Sequence, residues 1–311
     1  MICLGLDTSN YTTSAALYDA DNGLWQSSRA LLTVKAGELG LRQSEALFQH
    51  VAGLPDRVSA LGKCSHLVAV GASTRPRQAE GSYMPCFLAG ESFGRGAASL
   101  LGVPFFAFSH QQGHVAAAAL SAGREDLLCE PLLALHISGG TTEMLHVTPD
   151  EGEVILCKAV GGTNDLSAGQ VIDRCGKLLG LPFPSGQALD ALSLKSDKSD
   201  YFTPRGDGDS ASLSGLENKM KTLFEKGAPP EEIARFALLS VGETLSGLTA
   251  RITGRYPGLP LLCSGGVMAN TLLRKMFAER FCAIFASPEL ASDNAVGTAY
   301  LAAKKYTRAI I

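Results

Sequence analysis

Two stretches, one in each half of the chain, follow the same plan, and this duplication constrains the fold more than any other feature. Residues 2–18 run from an apolar segment, Ile2-Cys3-Leu4-Gly5-Leu6, through a polar one, Asp7-Thr8-Ser9-Asn10-Tyr11-Thr12-Thr13-Ser14, into a second apolar segment, Ala15-Ala16-Leu17-Tyr18. Residues 132–147 repeat it: Leu132-Leu133-Ala134-Leu135-His136-Ile137, then Ser138-Gly139-Gly140-Thr141-Thr142-Glu143, then Met144-Leu145-His146-Val147. Each pattern predicts a β-hairpin whose turn presents hydroxyls and unencumbered backbone N–H groups. Such turns form concave nests of donors suited to phosphate oxygens. A single hairpin of this kind is ordinary. Its recurrence near the start of each half predicts two related lobes.

Size and composition agree. A chain of 311 residues has the length of roughly two domains at about 150 residues each. Its 46% hydrophobic and 18% charged residues, with 34 glycines, describe a packed globule rich in tight turns and exclude a disordered chain. No run approaches the roughly eighteen uncharged apolar residues of a membrane span. The N-terminus meets Asp7 without a basic segment and reads as a buried strand, not a signal peptide. Eight dispersed cysteines, none in a C-x-x-C pair, fit inert core thiols of a reducing compartment, so the cytoplasm is the expected location. A net charge of −3 lacks the basic signature of a protein that grips nucleic acid unaided.

Periodicity predicts helices over residues 37–61, 87–101, 231–253, 270–281 and 294–303, with buried strands at 66–70, 103–108 and 259–263. The polar stretch 194–215 predicts a long loop, a length uncommon unless functional.

Three groups of residues carry chemistry beyond the hairpin turns. His110 and His114 stand four apart after a strand, so on a helix both imidazoles share a face and can chelate one ion. They read equally as two helix-surface or core histidines. Asp293 would complete a two-His, one-carboxylate set accepting Fe(II), Zn or Mn, although an Asp at a helix start is also an expected N-cap. Cys263-Ser264-Gly265-Gly266-Val267-Met268-Ala269-Asn270 is strand, double glycine, helix, where backbone can approach a ring or ribose and Asn270 can bond a hydroxyl or base edge. The plain reading is a strand-to-helix turn. Asp173 and Asp190 flank a Gly/Pro turn ending at Gly186; they read as acceptors for ribose hydroxyls or a substrate amine, or as helix-surface acids.

Duplicated lobes with a phosphate-gripping hairpin each resemble the actin-like ATPase fold of actin, sugar kinases and heat-shock ATPases, an α/β architecture of two duplicated lobes with a central cleft for nucleotide. In that superfamily the last helix returns to the first lobe, so the resemblance implies one lobe of residues 1–130 with 293–311 and one of residues 131–292. Motif by motif, the chain also resembles the tRNA threonylcarbamoyladenosine synthase family (TsaD, formerly Gcp or O-sialoglycoprotein endopeptidase). The family's H-x-E-G-H is similar to His110-Gln111-Gln112-Gly113-His114, and its S-G-G-H-T to Ser138-Gly139-Gly140-Thr141-Thr142. Its F-D-K…L-L-G-L-x-Y-P-G-G resembles Ile172-Asp173-Arg174 through Pro184-Ser185-Gly186, and its F-S-G-L-K resembles Leu213-Ser214-Gly215-Leu216-Glu217. Its G-G-V-x-A-N is matched by Gly265 to Asn270, and its T-D-N by Ser292-Asp293-Asn294.

The resemblance implies a reaction. A divalent ion held by His110, His114 and Asp293 and an adenine nucleotide, threonylcarbamoyl-adenylate or ATP, would serve transfer of the carbamoyl group to N6 of an adenosine beside a tRNA anticodon. Ser138, Gly139, Gly140, Thr141 and Thr142 would cradle phosphate, and Asp173, Gly186, Asp190 and Asn270 would fix the substrate. TsaB- and TsaE-like proteins would be the bacterial partners. Three departures are visible. Tyr11 and Thr12 replace two acids of the family's opening E-T-S-C-D-E-T, Thr141 replaces its His, and residues 72–83, with Arg75 and Arg77, replace a G-P-G-L turn. The alternative is a divergent paralogue that binds nucleotide and metal as a partner or regulatory protein without transferring the group. A protease reading fails, because the H-x-x-x-H lacks the Glu of H-E-x-x-H.

Overall fold

The computed structural model describes residues 1–9, 11–34, 41–64, 66–204, 206–287, 289–290 and 294–310. They form two compact units: Met1–Glu130 with Thr148–Cys157 and Glu289–Ile311, and Pro131–Val147 with Lys158–Pro288.

The first unit is built on a five-stranded sheet. Its strands are β1 (Ile2–Ser9), β2 (Thr12–Asp19), β3 (Trp25–Leu31), β4 (Leu67–Arg75) and β5 (Phe105–Ser109), in the order β3-β2-β1-β4-β5. β1 is antiparallel to β2 and parallel to β4. β1 is buried from Cys3 to Ser9 as a strand covered on both faces, its apolar run ending at Leu6 and buried Asp7, Thr8 and Ser9 following. The polar stretch 7–14 is no loop. Pairing continues through Asp7↔Ser14 and Thr8↔Thr13 to Ser9↔Thr12, because Thr and Ser suit a pleated strand as well as a turn.

The helices of this unit are α1 (Gln43–Ser59), α2 (Phe87–Leu101), α3 (His110–Ser121) and, returning from the chain's end, α9 (Ala295–Ile310). α1 starts later than predicted, and residues 37–40 lie outside the described residues. Ser109 opens α3 with a capping box: its Oγ accepts from Gln112 N–H, and Gln112 Oε1 accepts from Ser109 N–H at 2.7 Å.

The second unit repeats the sheet. Its strands β6 (Leu132–Ile137), β7 (Thr142–Asp150), β8 (Val154–Thr163), β9 (Ser210–Ala211), β10 (Leu261–Ser264) and β11 (Ile284–Phe285) lie in the order β11-β10-β6-β7-β8-β9. β6 is antiparallel to β7 and parallel to β10, as β1 is to β2 and β4. The duplication seen in two hairpins thus extends across both sheets, with β9 added at one edge. Helices α4 (Ala168–Leu178), α5 (Gly186–Ser193), α6 (Gly215–Glu225), α7 (Pro230–Arg255) and α8 (Thr271–Phe281) complete it. α7 begins with a proline at its first turn, where no N–H is missed. It buries Ile233, Leu238, Val241, Leu245, Leu248 and Ile252 in one core with Leu135, Ile137 and Met144 of the sheet. No helix among the described residues is long and apolar enough to cross a membrane.

The segment between α5 and α6 is tied down by side chains, which explains how so long a polar stretch holds a path. Arg251 donates to the carbonyls of Gly208 and Ser210, and Ser240 Oγ accepts from Phe202 N–H at 2.9 Å. Asp165 accepts from Ser212 Oγ at 2.6 Å, Leu213 N–H at 2.9 Å and Ser214 N–H at 2.9 Å. Partial burial opposes ionisation of Asp165, but these donors outweigh it and hold the carboxyl below its usual range. Its contribution is therefore complete above the unfolded carboxylate range near pH 4 and fades as pH falls toward the lower folded value. Asp165→Ala is expected to cost about 1–2 kcal/mol at pH 7, held low by solvent screening. Urea denaturation should show that difference shrinking below about pH 4, and a gap constant down to pH 2 would contradict the assignment.

None of the eight cysteines forms a disulfide. Burial pushes the thiols of Cys3 and Cys175 up to about 12, and that of Cys263 higher still. Cys129 and Cys282 are exposed.

Candidate functional site

In the first unit, β5 delivers the chain to α3, and the first two turns of that helix present the histidines, one above the other. The rings of His110 and His114 lie side by side, centroids 4.3 Å apart and nearly perpendicular. α9 crosses α3 closely: a Cβ on Gly297 would sit 2.0 Å from the Gly113 carbonyl oxygen, and one on Gly113 would sit 3.0 Å from Thr298 Oγ1. That crossing sets Asn294 against His110, its Nδ2 2.6 Å from Nδ1 and 3.2 Å from Nε2.

A residue that sequence reading did not assign completes the cluster. Asp7, 2% exposed on β1, lies with Oδ2 2.9 Å from His110 Nδ1, while its Oδ1 accepts from Ser9 N–H at 2.9 Å. Burial alone raises the pKa of such a carboxyl. The charge His110 carries when protonated and its hydrogen bond, with bonds from Ser73 and Ser9, reverse this and hold Asp7 at about 2. The signal was present in the sequence, since a lone acid ending an apolar strand must find a donor. Nothing local indicates that the donor is His110.

Asp293 lies outside the described residues, and among the described residues no group of three His, Cys, Asp or Glu side chains forms a metal cage. The donor set that is present nevertheless fits an ion. Two imidazoles sit together, and one of them is backed by a buried carboxylate, the arrangement that orients metal-bound histidines.

In the second unit, Gly139, Asp173, Gly186, Asp190 and Asn270 line one cavity of about 690 Å³, with Gly169, Ile172, Pro184, Gln187 and Gly266 among its other walls. The sequence motifs that contribute them lie far apart in the chain, and the fold of this unit brings them to one place. A Cβ on Gly139, Gly140, Gly186 or Gly266 would meet nothing within 4 Å, so bare backbone faces open space. Gly265 has a different duty. At φ +91°, its Cβ would lie 2.1 Å from Ile137 O, so only glycine lets β10 turn against the end of β6.

Ser138–Thr142 makes the β6–β7 turn, closed by Ser138 N–H donating to Thr141 O at 2.8 Å. Two of its hydroxyls are used internally. Ser138 Oγ accepts from Thr141 N–H at 3.2 Å, and Thr142 Oγ1 accepts from Ala168 N–H at 2.8 Å. The Gly139 carbonyl accepts from Ser167 Oγ at 2.7 Å, so what the turn offers a phosphate is the backbone N–H groups of Gly139 and Gly140. The start of α4 rests on it, since a Cβ on Gly169 would fall 2.5 Å from Gly139 Cα, and a helix N-terminus favours negative charge nearby.

The polar side chains are partly spent on structure. Asp173 Oδ1 accepts from Ser185 N–H at 2.8 Å. Asp190 Oδ2 accepts from both N–H and Oγ1 of Thr271, anchoring α8, while its Oδ1 is buried without a hydrogen-bond partner. Asn270 caps α8 through Oδ1, which accepts from Leu273 N–H at 3.1 Å, so its amide nitrogen is what it can direct to a ligand. Glu217, where the resembled motif has Lys, pairs with Arg174 and with Lys221.

Residues 81–300 match the family model TsaD, tRNA N6-adenosine threonylcarbamoyltransferase. A tRNA N6-adenosine threonylcarbamoyltransferase of Desulfovibrio desulfuricans is 31% identical over 340 residues, covering 96% of this chain and 88% of the relative. Among solved structures, component A of the (R)-2-hydroxyglutaryl-CoA dehydratase of Acidaminococcus fermentans superimposes with a TM-score of 0.58 at 16% identity over 99% of both chains. A ROK family glucokinase from Streptomyces griseus does so with 0.55 at 13% identity, over 98% of this chain and 100% of that one. At those identities the likeness is one of fold. The chain has the actin-like ATPase fold and belongs to the tRNA N6-adenosine threonylcarbamoyltransferase family.

Proposed function

We propose that this chain catalyses metal-dependent transfer of a threonylcarbamoyl group from threonylcarbamoyl-adenylate to the N6 amine of an anticodon-adjacent adenosine in tRNA. The observation that carries the reading is the cavity of the second unit. Bare glycine backbone admits a flat ring or ribose there, and a buried carboxylate oxygen of Asp190 lacks a partner. A buried acceptor left unpaired is costly, and a ligand hydroxyl relieves it. Asp173 and the amide of Asn270 add polar contacts, and the Ser138–Thr142 turn beside the start of α4 suits a phosphate.

His110, His114 and Asp293 would hold one divalent ion, Fe(II), Zn or Mn. When bound, such an ion polarises a carbonyl as negative charge builds on its oxygen. In the transfer, N6 bonds to the carbamoyl carbon, the bond from that carbon to the adenylate oxygen breaks, and N6 gives up a proton. TsaB- and TsaE-like partners would supply the binding surface that a net charge of −3 withholds.

The first hairpin favours a second reading. Tyr11 is exposed at its tip and Thr12 pairs with Leu31, so two acids of the family's motif are absent, which suits a nucleotide-binding partner protein without turnover. The two separate in one assay of purified protein with threonine, bicarbonate, ATP, tRNA and the partner proteins. Threonylcarbamoyladenosine in the digested tRNA is the expected result. Tight ATP binding with no modified nucleoside would leave the second reading standing.

A further inference from the structure

We propose that Asp7 is a positioning residue of the two-histidine site, holding His110 as the tautomer with hydrogen on Nδ1 so that Nε2 presents its lone pair to a divalent cation. This rests on the metal reading above and adds a residue from β1 to it.

The geometry leaves little choice. An ionised carboxylate only accepts, so its contact with Nδ1 at 2.9 Å requires the hydrogen there. In the neutral imidazole, the form that ligates, there is one N–H, so Nε2 then carries no hydrogen. Asp7 itself cannot turn away, because it is 2% exposed and its other oxygen is fastened to Ser9 N–H. The ring is confined as well, with Phe87 at a centroid distance of 5.9 Å and the Asn294 amide against its nitrogens. A free imidazole would mostly carry its hydrogen on Nε2, blocking the atom that must ligate. The carboxylate removes that cost in advance and makes the ring a stronger donor.

The test uses the whole chain and Co(II) alone as probe, read by the absorption of the bound ion. Nitrogen-15 shifts of the His110 ring are recorded without metal. Wild type should take up one Co(II). Asp7→Asn, which keeps the shape but has one acceptor oxygen to serve two donors, should bind roughly 10-fold more weakly, and Asp7→Ala roughly 100-fold. His114→Ala should bind none. Metal-free wild type should show hydrogen on Nδ1, and Asp7→Ala should show it on Nε2. A purely structural Asp7 would lower the unfolding midpoint without moving tautomer or affinity. If Asp7→Asn and Asp7→Ala bind as wild type does, or the tautomer stays put, the inference is overturned while the metal reading stands. If wild type binds no more Co(II) than His114→Ala, the metal reading falls and takes this inference with it.

Discussion

Gly297→Val is expected to leave the first unit unable to reach a stable native state. A Cβ at this position would lie 2.0 Å from the Gly113 carbonyl oxygen and 2.6 Å from Ala117 N, both of them backbone of α3. α9 cannot retreat, because on its sheet side Gly5 of β1 already meets it: a Cβ there would fall 2.1 Å from Ala295 O and 2.4 Å from Ala299 N. The helix is wedged between backbone and backbone, so no side chain is available to give way. Overpacking ordinarily costs about 1–3 kcal/mol, and more where nothing relaxes. Against a total stability of about 5–15 kcal/mol, a loss above about 3 kcal/mol is expected for valine and a smaller one for Gly297→Ala. Guanidinium denaturation measures both. A valine variant with the wild-type midpoint and slope would show that α9 does not lie where the structure puts it.

Asp190→Asn is expected to weaken binding of AMP, measured by calorimetry, roughly 10- to 100-fold, the worth of a hydrogen bond to a buried charge. Asparagine keeps one oxygen, which can still accept from both Thr271 N–H and Oγ1, as Oδ2 does now, and hold the start of α8. What goes is the negative charge and the second oxygen, which is buried without a partner in a residue that lines the cavity. Thr271→Val separates structure from binding. It removes one of the two Thr271 donors to Asp190 and leaves the carboxylate in place, so a change of only a few-fold is expected. Equal AMP affinity in Asp190→Asn and wild type would remove this carboxylate from the nucleotide site.

The architecture was legible wherever local pattern and burial coincide. β1 and β6 announced themselves as apolar runs, and the repeated hairpin announced two related sheets, whose matching order of strands follows from it. The His110–His114 pair was legible because i, i+4 spacing on a helix is itself geometry. Asp7 and Asn294 were not, being separated from His110 by 103 and 184 residues. No periodicity encodes such a meeting, which depends on Gly113 and Gly297 letting α3 and α9 touch. Asn270 was read as a ligand-facing amide, yet its oxygen serves helix capping, a role every Asn before a helix must be weighed against. Asp293, outside the described residues, is still an expectation from motif resemblance.

The uneven chemistry of the cysteines gives the protein a built-in clock for each unit. Thiolate, not thiol, reacts with alkylating reagents, so Cys3 in the first unit and Cys175 and Cys263 in the second stay silent near neutral pH while their surroundings hold. They become nucleophilic only when those surroundings open. Cys129 and Cys282, one per unit and already at the surface, mark the start of the reaction. Brief exposure to iodoacetamide followed by peptide mass mapping therefore reads the opening of either half separately, with no label engineered into the chain.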